Sequence, residues 1–233
     1  MNIAVIPARG GSKRIPKKNI KNFLGKPIIS YPIEQAIKSN LFDKIFVSTD
    51  DREIAKISES YGAEIPFIRS EKLSDDFTSV TKVMSSAVKW MNKNNLYSEN
   101  ICCILPTTPC LSAEDLISGF KKLTEKKRKW SYVFAASKNK ISYFRSFKIN
   151  DDKSIEMLFP QKFNSRTQDL IDTYFDAGQF YWGKNEAWLT EQITFDNYST
   201  IIELESWKSH DIDTLKDWEE LENLLKTSQF NPS

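Results

Sequence analysis

Ile3-Ala4-Val5-Ile6-Pro7-Ala8-Arg9-Gly10-Gly11-Ser12-Lys13-Arg14-Ile15-Pro16-Lys17-Lys18-Asn19 opens the chain as a short apolar strand that breaks into a glycine-containing basic loop. Residues 1–33 hold Arg9, Lys13, Arg14, Lys17, Lys18, Lys21 and Lys26 and no acid; the first acid is Glu34. The whole chain carries 33 Lys+Arg against 31 Asp+Glu, so this concentration is local. A strand that opens into such a loop offers backbone N–H groups and cations together, the combination a polyphosphate needs. A Walker A loop or a dinucleotide fingerprint is excluded by glycine spacing. A solvated basic loop is the bland alternative. Nucleic-acid binding is disfavoured, because it spreads cations over a face and interleaves aromatics, whereas this loop holds one aromatic, Phe23.

Outward from this loop, apolar runs alternate with amphipathic segments. Strands are predicted at 3–7, 44–48, 64–69, 101–105, 132–136, 179–182 and 200–204, and helices at 27–38, 51–61, 80–92, 113–123 and 213–225. Continuous apolar runs suit strands buried on both faces. Pro27 suits a first helical turn, Pro32 predicts that this helix is short or kinked, and Ser112 before Glu114-Asp115 reads as an N-cap. The alternation predicts a three-layer α/β fold with a mainly parallel sheet. From about Lys138 to Tyr174 the periodicity lapses and aromatics recur (Tyr143, Phe144, Phe147, Phe159, Phe163). An insertion packing on a partner subunit is the economical reading, and a lid or local hairpin the alternative. The tail after Lys226 reads as frayed.

With 233 residues and 40% apolar side chains, the chain suits one domain with a sizeable insertion and a large core. No apolar run approaches the ~18 residues of a membrane span, and the opening apolar stretch is too short for a signal peptide. Cys102, Cys103 and Cys110 read as reduced thiols of a cytoplasmic protein, and one histidine without a Cys-x-x-Cys makes a zinc site improbable.

Ligands of doubly wound sheets sit at the carboxyl ends of the strands. There the sequence places the basic loop, Ser48-Thr49-Asp50-Asp51, Arg69 with the following 70–78 stretch, the stiff turn Pro106-Thr107-Thr108-Pro109, and His210-Asp211-Ile212-Asp213-Thr214. Asp51 also suits a helix cap. Residues two apart in extended chain project to one side, so Asp211 and Asp213 can share a hard cation such as Mg²⁺. Alternatively Asp213 caps the last helix and Asp211 is a surface charge. Beside a polyphosphate loop the metal reading is preferred, because phosphoryl and nucleotidyl transfer need a cation. His210, the lone histidine, is a weak catalytic candidate. Gly178, ahead of Gln179-Phe180-Tyr181-Trp182, suggests a close backbone approach.

Taken together, these residues resemble the CMP-sialic acid synthetase family of cytidylyltransferases. The opening stretch 6–19 resembles its nucleotide-binding signature, and Val47-Ser48-Thr49-Asp50, Leu105-Pro106-Thr107-Thr108-Pro109 and Asp211-Ile212-Asp213-Thr214 follow in order. The resemblance implies a Rossmann-like nucleotidyltransferase fold, a single 1–233 domain with a dimerisation insertion at 138–174, and a homodimer. It implies a reaction joining CTP to a nonulosonic acid, with Mg²⁺ on Asp211 and Asp213, to give the CMP-sugar and pyrophosphate. Arg9 and Lys18 are then expected on the phosphates, with nucleotide contacts from Ala8, Gly10, Gly11, Ser12, Asn19 and Arg69.

Within that family the chain looks most like the pseudaminic acid enzymes, through 144–147, 156–160, 166–170 and 174–181. Leu105 stands where the sialic acid enzymes carry Gln, and Phe175 where they carry Arg. Leu105, Arg145, Arg166, Gln168, Asp176, Gln179, Phe180 and Tyr181 are the expected sugar contacts, with Arg145 arriving from a partner subunit. A legionaminic or N-acetylneuraminic acid synthetase is the alternative enzyme, and a non-catalytic nucleotide-binding regulator the alternative from another class.

Overall fold

A computed structural model describes residues 1–227; the tail expected to fray lies, past Thr227, outside the described residues. Among the described residues ten strands occur, in chain order: β1 Asn2–Pro7, β2 Asn22–Phe23, β3 Lys26–Pro27, β4 Lys44–Ser48, β5 Asn100–Ile104, β6 Tyr132–Lys138, β7 Phe147–Ile149, β8 Ile155–Met157, β9 Tyr174–Lys184 and β10 Ser199–Glu203. The α-helices are α1 Ser30–Lys38, α2 Arg52–Ser60, α3 Val80–Lys93, α4 Ala113–Leu123, α5 Asn185–Leu189 and α6 Leu215–Lys226.

Six strands form one sheet in the order β10-β6-β9-β5-β1-β4, while β2-β3 and β7-β8 are two small hairpins. All pairings in the large sheet are parallel except those of β9, which runs antiparallel to both β5 and β6. Strand alternation divides the core into two layers. Ala4 and Ile6 of β1 and Cys102 and Ile104 of β5 face α1, α2 and α4. Ile3, Val5, Ile101 and Cys103 face α3 and α5. A third core lies under α6, where Ile15, Phe23, Ile28, Cys110, Ile212, Trp218 and Leu221 are all buried.

Several boundaries differ from the sequence expectation for identifiable reasons. The strand predicted at 64–69 makes only isolated bridges, Phe46–Glu64 to β4 and Thr49–Ile68 just past its end. Pro66 lies between them and has no N–H to continue a ladder. Pro27 belongs to β3 rather than to a helix. Leu24 and Gly25, both at positive φ (47° and 98°), turn the β2–β3 hairpin first. Pro32 is the third residue of α1, where its missing N–H has no helical acceptor, so the helix is short without a proline kink. Gly178 meets nothing that a Cβ would touch; it is needed for φ +60° at the register shift between β9 and β6. The close approach occurs instead at Gly183, where a Cβ would stand 2.4 Å from the Trp188 indole nitrogen.

Candidate active site

The carboxyl ends of β1 and β5 open on a cavity of about 320 Å³. It is walled by the basic loop, the 73–78 segment, the Leu105-Pro106-Thr107 turn and the Asp211/Asp213 pair. Two of these walls share one anchor, because Ile15 of the basic loop and Ile212, between the two aspartates, both sink into the core under α6. Burying each isoleucine contributes roughly 1.5–3 kcal/mol, enough to hold two solvent-facing loops side by side.

Backbone and side-chain bonds then shape the basic loop. The buried Asn19 donates Nδ2–H to Arg9 O at 2.9 Å, and Asp50 accepts the Gly10 N–H at 3.0 Å. A side chain at position 10 would collide with Asp51, its Cβ lying 2.8 Å from Oδ2, so glycine is required there. The Ser12 N–H bonds Gly10 O, so the amides of Gly10 and Ser12 are engaged inside the protein. Asp51 itself caps α2 through Glu53 N and Ile54 N.

Five cations line the cavity: Arg9, Lys13, Arg14, Lys18 and Arg69. Arg69 is 5% exposed; burial pulls its guanidinium below the usual value against the opposing charge of Asp50, 3.7 Å away. Arg9 reaches Asp75 O at 2.8 Å and the Asp76 carboxylate at 2.7 Å, and Lys13 meets the same carboxylate at 2.5 Å. The 73–78 segment therefore leans over the basic loop through one carboxylate shared by two cations.

Asp211 and Asp213 face the cavity with Lys18 between them and the loop. Lys18 Nζ donates to Ile212 O at 2.5 Å, and burial lowers its affinity for the proton while both aspartates oppose that shift. Arg14 pairs with Asp213 at 2.7 Å. Desolvation by surrounding protein, then the like charge of Asp213, raises Asp211 above the ordinary carboxyl value. Asp213 does not cap the last helix: Thr214 is its N-cap, in a reciprocal capping box with Asp217. Neither carboxylate is spent on that cap; Asp213 keeps Arg14 as its ion-pair partner, and the repulsion between the two aspartates suits a shared cation. Among the described residues no cluster of three or more His, Cys, Asp or Glu side chains is placed to hold a metal ion. Two carboxylates with nucleotide phosphates and water are the donor set that Mg²⁺ commonly takes.

The remaining expected site residues divide. Arg9, Ser12, Lys18, Asn19, Arg69 and Leu105 line the cavity together with the aspartates; Ala8, Gly10 and Gly11 shape the loop without lining it. A smaller apolar cavity of about 170 Å³ adjoins, sharing Val80 and Leu105 with the first and bounded by Tyr181, Trp188 and Phe195. Tyr181 donates its hydroxyl to Asp176, and burial followed by that carboxylate raises its pKa. Phe180 and Gln179 are not cavity residues. Phe180 is fully buried against Gly119 on the other face of the sheet, because neighbours in a strand face opposite ways; Gln179 is 2% exposed. Arg145 bonds Phe163 O and Ser165 O, and Arg166 and Gln168 are exposed within the 138–174 stretch, away from both cavities. His210 lines neither cavity. Asp50 and Asp76 are the contributors that sequence reading left without a role. Their signal was a carboxylate following a predicted strand, but their partners lie 40 and 67 residues away in sequence.

A family profile described as Cytidylyltransferase matches residues 3–230. A pseudaminic acid cytidylyltransferase of Campylobacter jejuni is 40% identical over 227 residues, covering 97% of both chains. A CMP-N,N'-diacetyllegionaminic acid synthase of Legionella pneumophila is 30% identical over 244 residues, again 97% of both. Among solved structures, a CMP:2-keto-3-deoxy-manno-octonic acid synthetase complexed with CTP superposes with a TM-score of 0.70 at 16% identity, over 97% of this chain and 98% of that one. Matched along nearly its whole length, and with a cation-lined cavity where its first strand ends, the chain belongs to the cytidylyltransferase family.

Proposed function

We propose that this enzyme joins CTP to pseudaminic acid, releasing pyrophosphate and the CMP-sugar. The observation that carries the nucleotide half is the juxtaposition of Arg9, Lys18 and Arg69 with the Asp211/Asp213 pair across one cavity. Arg9 grips phosphate oxygens through its fork and Lys18 acts as a point charge beside the reacting phosphate. The sugar's anomeric hydroxyl oxygen attacks the α-phosphorus in line, its proton leaves to solvent, and the bond to pyrophosphate breaks. Mg²⁺ held by Asp211 and Asp213 would neutralise phosphate charge and favour ionisation of the attacking hydroxyl. The chain's own residues hold the triphosphate and fix the angle of approach.

The sugar half rests on the adjoining apolar cavity and on the identity to the Campylobacter enzyme. A nonulosonic acid presents a carboxylate, hydroxyls and acylated amines, so its site needs polar anchors beside apolar walls. Leu105 and Tyr181 supply walls and Asp176 an anchor. Arg145, Arg166 and Gln168 come from a second copy of the chain. The 138–174 stretch exposes Ile141, Phe147, Ile149, Ile155, Phe163 and Ile171, each more than half exposed, a surface suited to a homodimer. Light scattering is expected to give twice the 27.0 kDa chain mass, and a monomer would remove the second copy from the site. Among the described residues no helix is long and apolar enough to cross a membrane. Three buried, unpaired thiols suit a cytoplasmic setting.

The test is pyrophosphate release with CTP and a panel of pure nonulosonic acids. The kcat/KM for pseudaminate is expected to exceed that for N-acetylneuraminate by about 10² or more, the discrimination a largely apolar pocket gives against added hydroxyls. Preference for legionaminate or N-acetylneuraminate would overturn the sugar assignment and leave the cytidylyl transfer standing. No turnover with any sugar, despite CTP binding, would favour a regulator.

A further inference from the structure

The 206–213 segment reaches the cavity only after three polar ties have fastened it to the sheet and to α4. Gln179 of β9 donates its Nε2–H to Lys208 O at 2.7 Å. The Lys208 ammonium meets Asp115 at 2.8 Å and Ser112 Oγ at 3.3 Å, the two members of the α4 capping box. Ser137 of β6 donates to Leu204 O at 3.0 Å and bonds Ser209 through the two hydroxyls. Asp211 follows two residues later.

Gln179 is the pivot of this arrangement. Its backbone carbonyl accepts the Leu105 N–H at 2.8 Å, so one residue ties the Leu105-Pro106-Thr107 wall to the segment carrying the Asp211/Asp213 wall. Its amide is 2% exposed, and its Oε1 finds no partner among the described residues. A buried amide with half its hydrogen-bonding capacity unmet carries a desolvation cost that an aliphatic side chain avoids. Space filling alone would favour leucine or methionine. Only the amide can also hold the Lys208 carbonyl, and the orientation is dictated, since the NH₂ end must face a carbonyl oxygen.

We infer that Gln179 is a positioning residue for cytidylyl transfer, fixing where Asp211 and Asp213 stand relative to the phosphate loop. The inference rests on the reading that the two aspartates hold the divalent cation. Gln179 touches neither aspartate and holds the backbone three residues before Asp211, so its loss is expected at the low end of the roughly 10–100-fold that losing a direct partner of a metal ligand costs.

Mn²⁺ provides a probe independent of turnover, because free Mn²⁺ is counted directly by electron paramagnetic resonance. The purified full-length chain with CTP would be titrated as wild type, Gln179→Met, Ser209→Ala and Asp211→Asn. Gln179→Met is expected to weaken Mn²⁺ about tenfold. CTP affinity in EDTA and Tm should stay near the wild-type values, which a mere loss of fold would not allow. Ser209→Ala, which loosens the same segment one residue on and spares the core, is expected to weaken Mn²⁺ about threefold and covers the case in which Gln179→Met fails to fold. Unchanged Mn²⁺ affinity in folded Gln179→Met, or in Ser209→Ala should that variant have to stand in, overturns the inference if Asp211→Asn is weakened. If Asp211→Asn is unchanged as well, the metal reading falls and takes the inference with it.

Discussion

Asp211→Asn and Asp213→Asn should each lower kcat/KM by roughly 10²–10³ at a fixed Mg²⁺ concentration, the usual cost of removing one preorganised charge-stabilising group. The substitution keeps shape and removes charge, so its main effect should fall on the cation. Neither carboxylate caps α6; Thr214 and Asp217 do that, and the helix should persist in both variants. Asp213→Asn also frees Arg14 from its 2.7 Å partner, which adds a mobile positive charge to the cavity. The affinity for metal-free CTP should therefore be kept or rise while turnover falls. The measurement is pyrophosphate release across a Mg²⁺ titration. The variants should need more Mg²⁺ or fail to recover at any concentration; superimposable titrations for both variants and wild type would refute a ligand role.

The second large effect is expected at Arg9 and Lys18. Arg9→Ala leaves Asp76 with Lys13 alone and removes the fork nearest the end of β1, and Lys18→Met keeps the aliphatic stem but removes the charge facing Ile212 O. Each should cost about 10²–10³ in kcat/KM. The two should differ in kind. Arg9 is an affinity group, so much of its loss should fall on KM for CTP. Lys18 sits half-buried between the loop and the aspartates, where a charge acts on the reacting phosphate, so its loss should fall on kcat. Initial-rate kinetics over a CTP range separate the two, and near-normal activity in both variants would remove the loop from the chemistry.

The parts of this molecule that depend on local pattern were legible. β1 and its basic loop, the capped start of α4 and the alternation of layers follow from residues close in sequence. What was not legible depends on partners distant in the chain. Nothing in 174–184 says that this strand runs antiparallel between β5 and β6, since direction is decided by the loops on either side. The strand expected at 64–69 was overvalued because its apolar content outweighed the one donor missing at Pro66. In the site, the cations and the aspartate pair were readable from position after a strand. The opposite faces of Phe180 and Tyr181 were readable too, since neighbours in a strand do not address one ligand. The bond from Gly10 to Asp50 was not, because it joins two loops 40 residues apart.

The three cysteines fall one to each core. Cys102 belongs to the layer under α1, α2 and α4, Cys103 to the layer under α3 and α5, and Cys110 to the cluster under α6. Adjacent in sequence, Cys102 and Cys103 point through opposite faces of β5 and are not placed to join each other. Burial raises all three thiols, that of Cys110 to about 12, so none presents a thiolate at neutral pH while the fold is closed. Electrophile labelling of this chain consequently registers breathing rather than redox state. Each sulfur is a clock set in a different compartment, and the order in which they are captured gives the order in which the compartments come apart.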